Sequence, residues 1–275
     1  LGNAADWGDM TIAKSNSFGG TGTQIRGIWH GGNPSSANEI IEAFLFASKG
    51  NAYDWGDLVT GRYSTARGPA GSLTRHIAFG GYVAPAMHAI IDYYSAVTAG
   101  NAADFGDMTD GRAHLAGCSN QTRAVALGGA TPSRVNIMDY ITIASTGDAS
   151  DFGDLTAVRA EHSGASSTPR GIPMGGSSPS YSNIIDYITI ASAGDATDFG
   201  DLTVARGVGG TANSETRALY AGGLKAYPSS AANTFDILDY VTIATTGNAA
   251  DFGDLVADRV EFAGLSNCAG GVQGQ

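Results

Sequence analysis

The chain has 275 residues, of which 40 are glycine, 43% are hydrophobic and 15% are charged. Disordered chains carry more charge and fewer large apolar residues, so this composition predicts a folded protein with many turns. Its net charge of −11 repels phosphate backbones and anionic lipids, and no apolar run reaches the about 20 residues of a spanning helix, so we expect neither nucleic-acid binding nor membrane insertion.

One motif recurs through the chain at a nearly constant interval. The sequence Asp-aromatic-Gly-Asp begins at Asp6, Asp54, Asp104, Asp151, Asp198 and Asp251, and the intervals are 48, 50, 47, 47 and 53 residues. A period of this length is typical of solenoids and propellers, so we expect a single domain of repeats over residues 1–275. Residue 1 is a leucine inside a copy, with no Met or signal peptide ahead of it, which is consistent with a processed or partial product.

Four segments follow one another in each copy, most clearly between Arg159 and Arg206: RAEHSGASS, PRGIPMGG, SNIIDYITIAS and AGDATDFGDLT. The third segment is predicted to be a strand, because residues 183–190 are rich in β-branched and aromatic residues and too few for a typical helix. It is apolar on both faces, which favours a blade packed between two other blades. A Gly-Gly pair ends the second segment of each copy, where the backbone must turn tightly.

The fourth segment, with its Asp and Gly residues, is predicted to be a turn. Its aromatic ring is expected to pack between adjacent units, where it contributes a large buried area. The six rings are those of Trp7, Trp55, Phe105, Phe152, Phe199 and Phe252.

The repeat resembles a known family. A unit of this length with an arginine, a Gly-Gly strand, an Asp-Tyr strand (Asp92-Tyr93, Asp139-Tyr140, Asp186-Tyr187, Asp239-Tyr240) and a final aromatic is similar to the kelch repeat. Its fuller wording resembles kelch-like arrays in structural and tail-associated proteins of marine bacteriophages, notably cyanophages. The resemblance implies an all-β fold, a β-propeller of four-stranded kelch-like blades. The chain departs from the kelch pattern in using mostly Phe where kelch blades favour Trp.

The function implied by the resemblance is a non-enzymatic structural or adhesive module of a phage particle, such as a tail fibre. Its expected location is the virion or the extracellular medium. The expected partners are a host-surface glycan or protein, or other virion proteins, and a homo-oligomer is left open. Two alternatives remain: a secreted bacterial propeller that binds a glycan or protein, and a kelch-type enzyme. The galactose oxidase type of site needs a Tyr-Cys pair and two histidines, and neither Cys118 nor Cys268 supports one.

The number of blades depends on the two chain ends. Residues 1–13 are the tail of one copy, and Arg259 to Gln275 are the head of another. If the ends share one blade, the ring closes and hides its edge strands. This arrangement predicts six blades, of which the composite one lacks an obvious third strand. The alternative is five blades plus a tail.

Most charged residues recur with the repeat. Eleven of the 15 basic residues occupy two registers, one represented by Lys14 and Arg62 and the other by Arg26 and Arg75, and 17 of the 26 acids also recur. Active sites in propellers normally break the symmetry, so we expect no enzyme, no catalytic residue and no cofactor. A buried charge needs a partner, so we expect the register of Arg26 to pair with carboxylates.

Two other groups of residues, the histidines and the clustered aspartates, could bind a metal ion. The five histidines, His30, His76, His88, His114 and His162, show no metal-ligand spacing and are expected to be scattered. Three aspartates in eight residues, such as Asp148, Asp151 and Asp154, offer oxygen ligands for calcium, but the spacing is not that of an EF-hand. We therefore expect them to cap the turn or to pair with arginines, and no metal site is predicted.

The copies diverge between the second and third strands. These segments are residues 33–38, 82–88, 130–135, 177–182 and 224–234. Alternate connections of an antiparallel blade lie on opposite faces, so the variable loops are expected on one face and the uniform Asp-Phe-Gly-Asp turns on the other. Variable loops on a rigid scaffold serve recognition. The candidate binding residues are Tyr82, Pro85, Tyr181, Tyr227 and Pro228.

Overall fold

The protein is a five-bladed β-propeller. The structure is a computed structural model that describes residues 7–15, 19–32 and 38–265 and the backbone of residues 268–269 and 272–273. All regular structure in these residues is β-strand, and strand order follows chain order within every blade. The described residues include no helix that is long and apolar enough to cross a membrane. The predicted all-β propeller is thus confirmed.

The strands are assigned to blades as follows. The first blade contains β1 (Gly19–Gly22), β2 (Arg26–His30), β3 (Ile40–Leu45) and β4 (Tyr53–Asp57). The second contains β5 (Arg75–Phe79), the small hairpin of β6 (Tyr82–Val83) and β7 (Ala86–Met87), β8 (Ile90–Ser95) and β9 (Ala103–Asp107). The third contains β10 (Ala116–Ser119), β11 (Arg123–Thr131), β12 (Ser133–Thr142) and β13 (Ser150–Asp154).

The fourth blade contains β14 (Ser163–Ser166), β15 (Arg170–Met174), the small hairpin of β16 (Ser177–Ser178) and β17 (Ser180–Tyr181), β18 (Ile184–Thr189) and β19 (Thr197–Asp201). The fifth contains β20 (Gly210–Asn213), β21 (Arg217–Ala221), β22 (Ile237–Thr242) and β23 (Ala250–Asp254). Two further strands, β24 (Cys268–Ala269) and β25 (Val272–Gln273), pair with each other.

The first strand of each blade lies next to the propeller axis. Neighbouring first strands contact each other, as β10 does β14 and β14 does β20. Glycine, alanine and serine dominate these strands, so the blades can approach closely. In the second blade this position is occupied by residues 66–71, and the carbonyl of Arg67 accepts hydrogen bonds from Gly117 N at 2.8 Å and Gly164 N at 3.2 Å. Three blades therefore meet at one residue.

The Asp-aromatic-Gly-Asp segment is the fourth strand of each blade, so its prediction as a turn is wrong. A register shift lies directly before the acidic residue of each third strand, and the fourth strand stays paired across it. The motif glycine is needed because another blade lies against it: at Gly106, with φ of 141°, a Cβ would lie 2.6 Å from the carbonyl oxygen of Gly147. The motif glycine, which is typical of turns, thus allows a close contact between strands of adjacent blades.

The aromatic ring of the motif packs between blades, as predicted. Phe152 is buried in a cluster that contains Met138 of its own blade and Ile188 and Ile190 of the fourth blade. The equivalent rings of Trp55, Phe105 and Phe199 are also buried. Trp7 is 41% exposed, since its copy has no third strand to cover it.

A buried ion pair joins each blade to the preceding copy. The cation follows the fourth strand of one copy, and the carboxylate comes from the third strand of the next blade. The N to O distances run from 2.5 to 3.1 Å for Lys14–Glu42, Arg62–Asp92, Arg112–Asp139, Arg159–Asp186 and Arg206–Asp239. Burial lowers the pKa of Arg112 and Arg159, and their aspartates oppose that shift. A charge removed from water in this way is tolerable because its partner is present.

The expectation that Arg26 and its counterparts pair with carboxylates is wrong, because the basic residues of the other register form those ion pairs. These arginines, of which Arg217 is exposed and the others are half-buried, instead lie over aromatic rings of their own blades. The distances to the ring centroids are 4.4 to 5.1 Å: Arg26 over Trp55, Arg75 over Tyr93, Arg123 over Tyr140, Arg170 over Tyr187 and Arg217 over Tyr240. Arg75 also donates to the carbonyl of Ile143 in the third blade at 2.8 Å. Ring and carbonyl replace the carboxylate as partners of the cation.

The preferred expectation of six blades is wrong, and the alternative of five is correct. Residues 7–15 contain no strand and bond to the first blade, as from Ala52 N to Asp9 O at 2.8 Å. Glu261 N donates to Val208 O of the fifth blade, and Leu265 packs on Gly20 of the first. Both stretches thus belong to the seam between the fifth and first blades. The strands β24 and β25 pair only with each other, and residues 7–15 contain no strand, so the described part of this copy does not form a four-stranded blade.

One seam lacks a hydrogen bond that its counterparts have. Thr109, Thr156 and Thr203 each donate from Oγ1 to Oδ1 of the paired aspartate at 2.7 Å. Val59 occupies this position in the second copy, and the buried Oδ1 of Asp92 has no hydrogen-bond partner among the described residues.

Val59→Thr is therefore expected to stabilise the protein by about 1 kcal/mol, because it supplies the missing donor to a buried carboxylate. The matched change Thr156→Val should destabilise it by about 1 to 3 kcal/mol, since it leaves Asp186 Oδ1 unsatisfied. Urea unfolding of both variants measures the two free energies of unfolding. A Val59→Thr variant no more stable than the parent would contradict this account of the seam.

Candidate functional site

The variable connections between second and third strands share one face, as predicted, and we call it the loop face. They bond there to the segments that leave the fourth strands, at Tyr63 with Tyr82, Ala113 with Ala130, Ala160 with Ser177 and Gly207 with Leu224. The uniform Asp-Phe-Gly-Asp segments are not on the opposite face, since they are outer strands. Of the first variable segment, residues 33–37 lie outside the described residues.

The structure divides the predicted binding residues between two cavities on the loop face. Tyr82 and Pro85 line a cavity of about 340 Å³ beside Asp110 and Pro132. Tyr181 and Tyr227 line another of about 300 Å³, with their ring centroids 6.5 Å apart. Pro228 lines neither cavity, and its carbonyl accepts a hydrogen bond from the Asn233 side chain within its own loop.

The second cavity, which we call the tyrosine pocket, draws its walls from three blades. Its main residues are Arg134, Glu161, Ser177, Tyr181, Lys225 and Tyr227. Arg134 donates from Nε and Nη2 to Ser177 Oγ at 3.1 and 3.0 Å, and Ser177 Oγ donates to Glu161 Oε2 at 2.8 Å. This chain of bonds fixes the guanidinium plane of Arg134 relative to the pocket.

The two tyrosines are positioned by different means. Tyr227 donates its hydroxyl to Glu261 Oε1 at 3.2 Å. The ring of Tyr181 packs on Gly207, where a Cβ would lie 2.7 Å from Cε1 of the tyrosine, so only glycine leaves room for this placement. Burial and the neighbouring carboxylates raise the pKa of Tyr227 to about 12, and burial with Glu161 nearby raises that of Tyr181. Both phenols are therefore neutral hydrogen-bonding groups at neutral pH.

Glu161 and Glu261 come from a backbone belt around the axis. One residue of each copy has φ between 52° and 63°: Ser64, His114, Glu161, Val208 and Glu261. The N–H of each of the last four donates to the carbonyl of its predecessor in this series, at 2.8 to 2.9 Å. A β-branched residue such as Val208 rarely adopts this conformation, so the belt itself must hold it there.

A buried arginine, Arg67, interacts electrostatically with residues of the tyrosine pocket. Arg67 is only 1% exposed, and burial lowers its pKa, while Glu161, Tyr220 and Glu261 oppose the shift. Burial and the charge of Arg67 lower the pKa of His114 to about 4. The pocket thus combines two exposed cations, Arg134 and Lys225, with a charge network that includes the buried Arg67.

Sequence reasoning found the two tyrosines but missed Arg67, Arg134, Glu161 and Lys225. One signal for them was present, because Arg67, Arg134 and Lys225 are three of only four basic residues outside the two recurrent registers. The sequence does not show that these residues lie together, because that depends on how the loops are arranged in three dimensions. Departure from the repeat is therefore the signal that best marks this site.

The aspartate-rich segments act as hydrogen-bond acceptors between blades. Asp148 Oδ1 accepts from Asp107 N and Asp195 Oδ1 from Asp154 N, both at 3.0 Å. Asparagine makes the same bond in the other copies, through Asn51, Asn101 and Asn248. An amide serves as well as a carboxylate here, so the position needs an acceptor rather than a charge. No group of three or more His, Cys, Asp or Glu among the described residues is placed to hold a metal ion.

The histidines are less scattered than expected. His30 and His76 are buried and share Tyr94, whose hydroxyl lies 2.8 Å from His30 Nδ1 and whose ring centroid lies 5.5 Å from that of His76. Burial lowers the pKa of His76 to about 3, and burial with neighbouring cations lowers the pKa of His30 and His162 well below the ordinary value. Cys118 is also buried, which raises the pKa of its thiol.

No protein-family model matches the chain, and no curated protein matches it in sequence. A propeller hosts many unrelated functions, so the fold does not identify the function and the residues of the loop face must do so.

Acid is expected to destabilise the protein below about pH 6.5, the pKa of histidine in an unfolded chain. The folded pKa values of His30, His76, His114 and His162 are lower than that value, so the unfolded state takes up protons first as the pH falls. Their stabilising effect is complete above pH 6.5, and each histidine loses about 1.4 kcal/mol per pH unit below it, until its folded pKa is reached.

Urea unfolding between pH 7.5 and pH 5 tests this, since carboxylates contribute mainly at lower pH. His76→Leu should make the dependence on pH shallower. A free energy of unfolding that stays constant from pH 7 to pH 5 would show that the histidines titrate normally in the fold.

Proposed function

We propose that the protein is a non-enzymatic binding module that attaches to a macromolecular partner through its loop face. The observation that carries this proposal is where the repeat is broken. The charged residues of the seams recur in register, whereas Arg134 and Lys225 do not recur and lie beside two tyrosines. A rigid ring with uniform seams and one divergent face is suited to recognition, because the scaffold keeps the loops in place while they vary.

The proposed setting is a phage particle, as a structural or adhesive, tail-associated component that contacts a host surface or a neighbouring virion protein. The resemblance of the repeat wording to tail-associated arrays supports this setting. A location on the virion or outside the cell agrees with it. A secreted bacterial propeller that binds glycan or protein would use the same face, and it differs in its absence from purified particles. Mass spectrometry of such particles separates the two.

The loop face is tested by replacing Tyr82, Tyr181 and Tyr227 with alanine. The triple variant should lose most of its binding to host cells, measured as attachment of fluorescently labelled protein to a panel of marine cyanobacteria, because both cavities lose their aromatic walls. Its melting temperature should change little, since these side chains are at least partly exposed and lie outside the core clusters.

The matched control is Val97→Ala on the opposite face, where Val97 is 56% exposed and lines a separate cavity. This control should bind as the parent does. Attachment that survives the triple replacement, or that is lost with Val97→Ala, places the binding surface elsewhere.

A further inference from the structure

The tyrosine pocket is lined by two of the four basic residues that the repeat does not explain. Four of the 15 basic residues lie outside the two recurrent registers: Lys49, Arg67, Arg134 and Lys225. The last two line the pocket, and the charge of the buried Arg67 acts on Glu161 and Tyr227 of the pocket. In a chain of net charge −11, these three cations outnumber the two carboxylates of the site, Glu161 and Glu261, and form a local positive site in a negative field.

The carboxylates of the pocket accept hydrogen bonds from hydroxyl groups, while two of its cations have no carboxylate partner among the described residues. Glu161 accepts from Ser177, and Glu261 accepts from Tyr227. Arg134 and Lys225 are exposed and form no ion pair with a carboxylate of the described residues. Arg134 uses Nε and Nη2 on Ser177, so Nη1 remains for a ligand. The open positions of the site therefore favour a negatively charged group.

The aromatic part of the pocket selects for a second feature. The rings of Tyr181 and Tyr227 are tilted by 49° and present two apolar faces next to neutral hydroxyls. Tyrosine rings pack against the apolar C–H faces of hydroxylated ligands, and the tyrosine hydroxyls exchange hydrogen bonds with the hydroxyl groups of such a ligand. A volume of about 300 Å³ is at the small end of ligand sites and accommodates one or two sugar rings rather than a folded partner.

We infer that the tyrosine pocket binds an acidic saccharide unit, with the sugar ring against Tyr181 and Tyr227 and its anionic group at Arg134 and Lys225. The inference rests on the proposed function of the loop face and names the ligand class of that face. A planar guanidinium held on Ser177 pairs with a carboxylate in a fixed direction, and the exposed Lys225 adds a second positive charge.

The first experiment uses the purified chain on an array of immobilised saccharides. The array contains uronic-acid, sialic-acid and sulfated oligosaccharides, neutral oligosaccharides, and the carboxyl-reduced counterpart of each carboxylated sugar. Binding is expected to acidic members and to be lost on their reduced counterparts. Carboxylated and sulfated members separately show which anionic group the pocket takes. Equal binding to reduced counterparts, or binding to no acidic saccharide, overturns the inference.

The second experiment measures affinity for the strongest acidic ligand by calorimetry. Arg134→Gln and Lys225→Gln should each weaken binding about tenfold, as removal of one charge-assisted contact does. Lys49→Gln is the matched control, because Lys49 is exposed on the opposite face and is the remaining non-recurrent basic residue. It should bind as the parent does. An unchanged affinity in both pocket variants overturns the assignment of the anionic group.

The inference and the proposed function can fail separately. If the triple tyrosine variant loses attachment to cells but the parent binds no acidic saccharide, the loop face is a binding surface and the ligand class is wrong. If the parent binds acidic saccharides and the triple variant still attaches to cells, the pocket is a sugar site that does not mediate attachment. Gly207→Val adds an independent test, since it displaces the Tyr181 ring without changing any charge and should also weaken saccharide binding.

Discussion

The fold depends on one interaction, the buried ion pair that crosses each seam. Its cation belongs to one copy and its carboxylate to the next blade, so neither copy can satisfy its own charge. A charged side chain with no solvent contact is costly when its partner is absent, and a misplaced blade would leave two such charges. The pair therefore penalises any packing in which adjacent copies are out of register. Hydrogen bonds from the neighbouring threonines add to this requirement at most seams.

Uniform seams leave the loop face free to change. The ion pair, the aromatic ring and the cross-blade acceptor all lie at or near the outer and middle strands, and the backbone belt lies at the axis. The connections between second and third strands take part in few of these contacts. Substitutions there alter chemistry without altering how blades join. Arg134, Lys225 and Tyr227 can therefore depart from the repeat at little cost to the fold, and this separation of roles underlies the proposed function.

Much of the fold follows from the sequence, and the exceptions have physical causes. The repeat period and the apolar third strand predicted a propeller. The prediction that the aromatic ring of the Asp-aromatic-Gly-Asp motif packs between blades is also confirmed. The Asp-Phe-Gly-Asp segment resembles a turn in sequence, because a glycine needed for contact between strands, such as Gly106, cannot be distinguished by residue type from a turn glycine. The two arginine registers could not be told apart, since the carboxylate partner of Arg112 depends on how successive copies pack.

The candidate site was predictable in part for a similar reason. Tyr181 and Tyr227 were found because they lie in divergent loops, but a cluster such as Arg134, Ser177 and Glu161 joins residues of different blades. The separation of two residues along the chain does not show how far apart they lie in the fold. What the sequence does report is that Arg134 and Ser177 do not recur, and in a repeat protein that fact separates functional residues from structural ones more sharply than residue type does.

Binding of an acidic ligand by a chain of net charge −11 is consistent with the range of electrostatic forces. The field of exposed charges is screened over about 8 Å at physiological ionic strength and about 3 Å at 1 M salt. Repulsion from the distant acids therefore fades with salt, whereas a contact between a carboxylate and Arg134 acts at hydrogen-bond distance and is screened less. The negative surface slows the approach of acidic polymers in general, and the pocket favours those that place a charged sugar against the tyrosines. Net charge thus limits nonspecific association while the local cations determine selectivity.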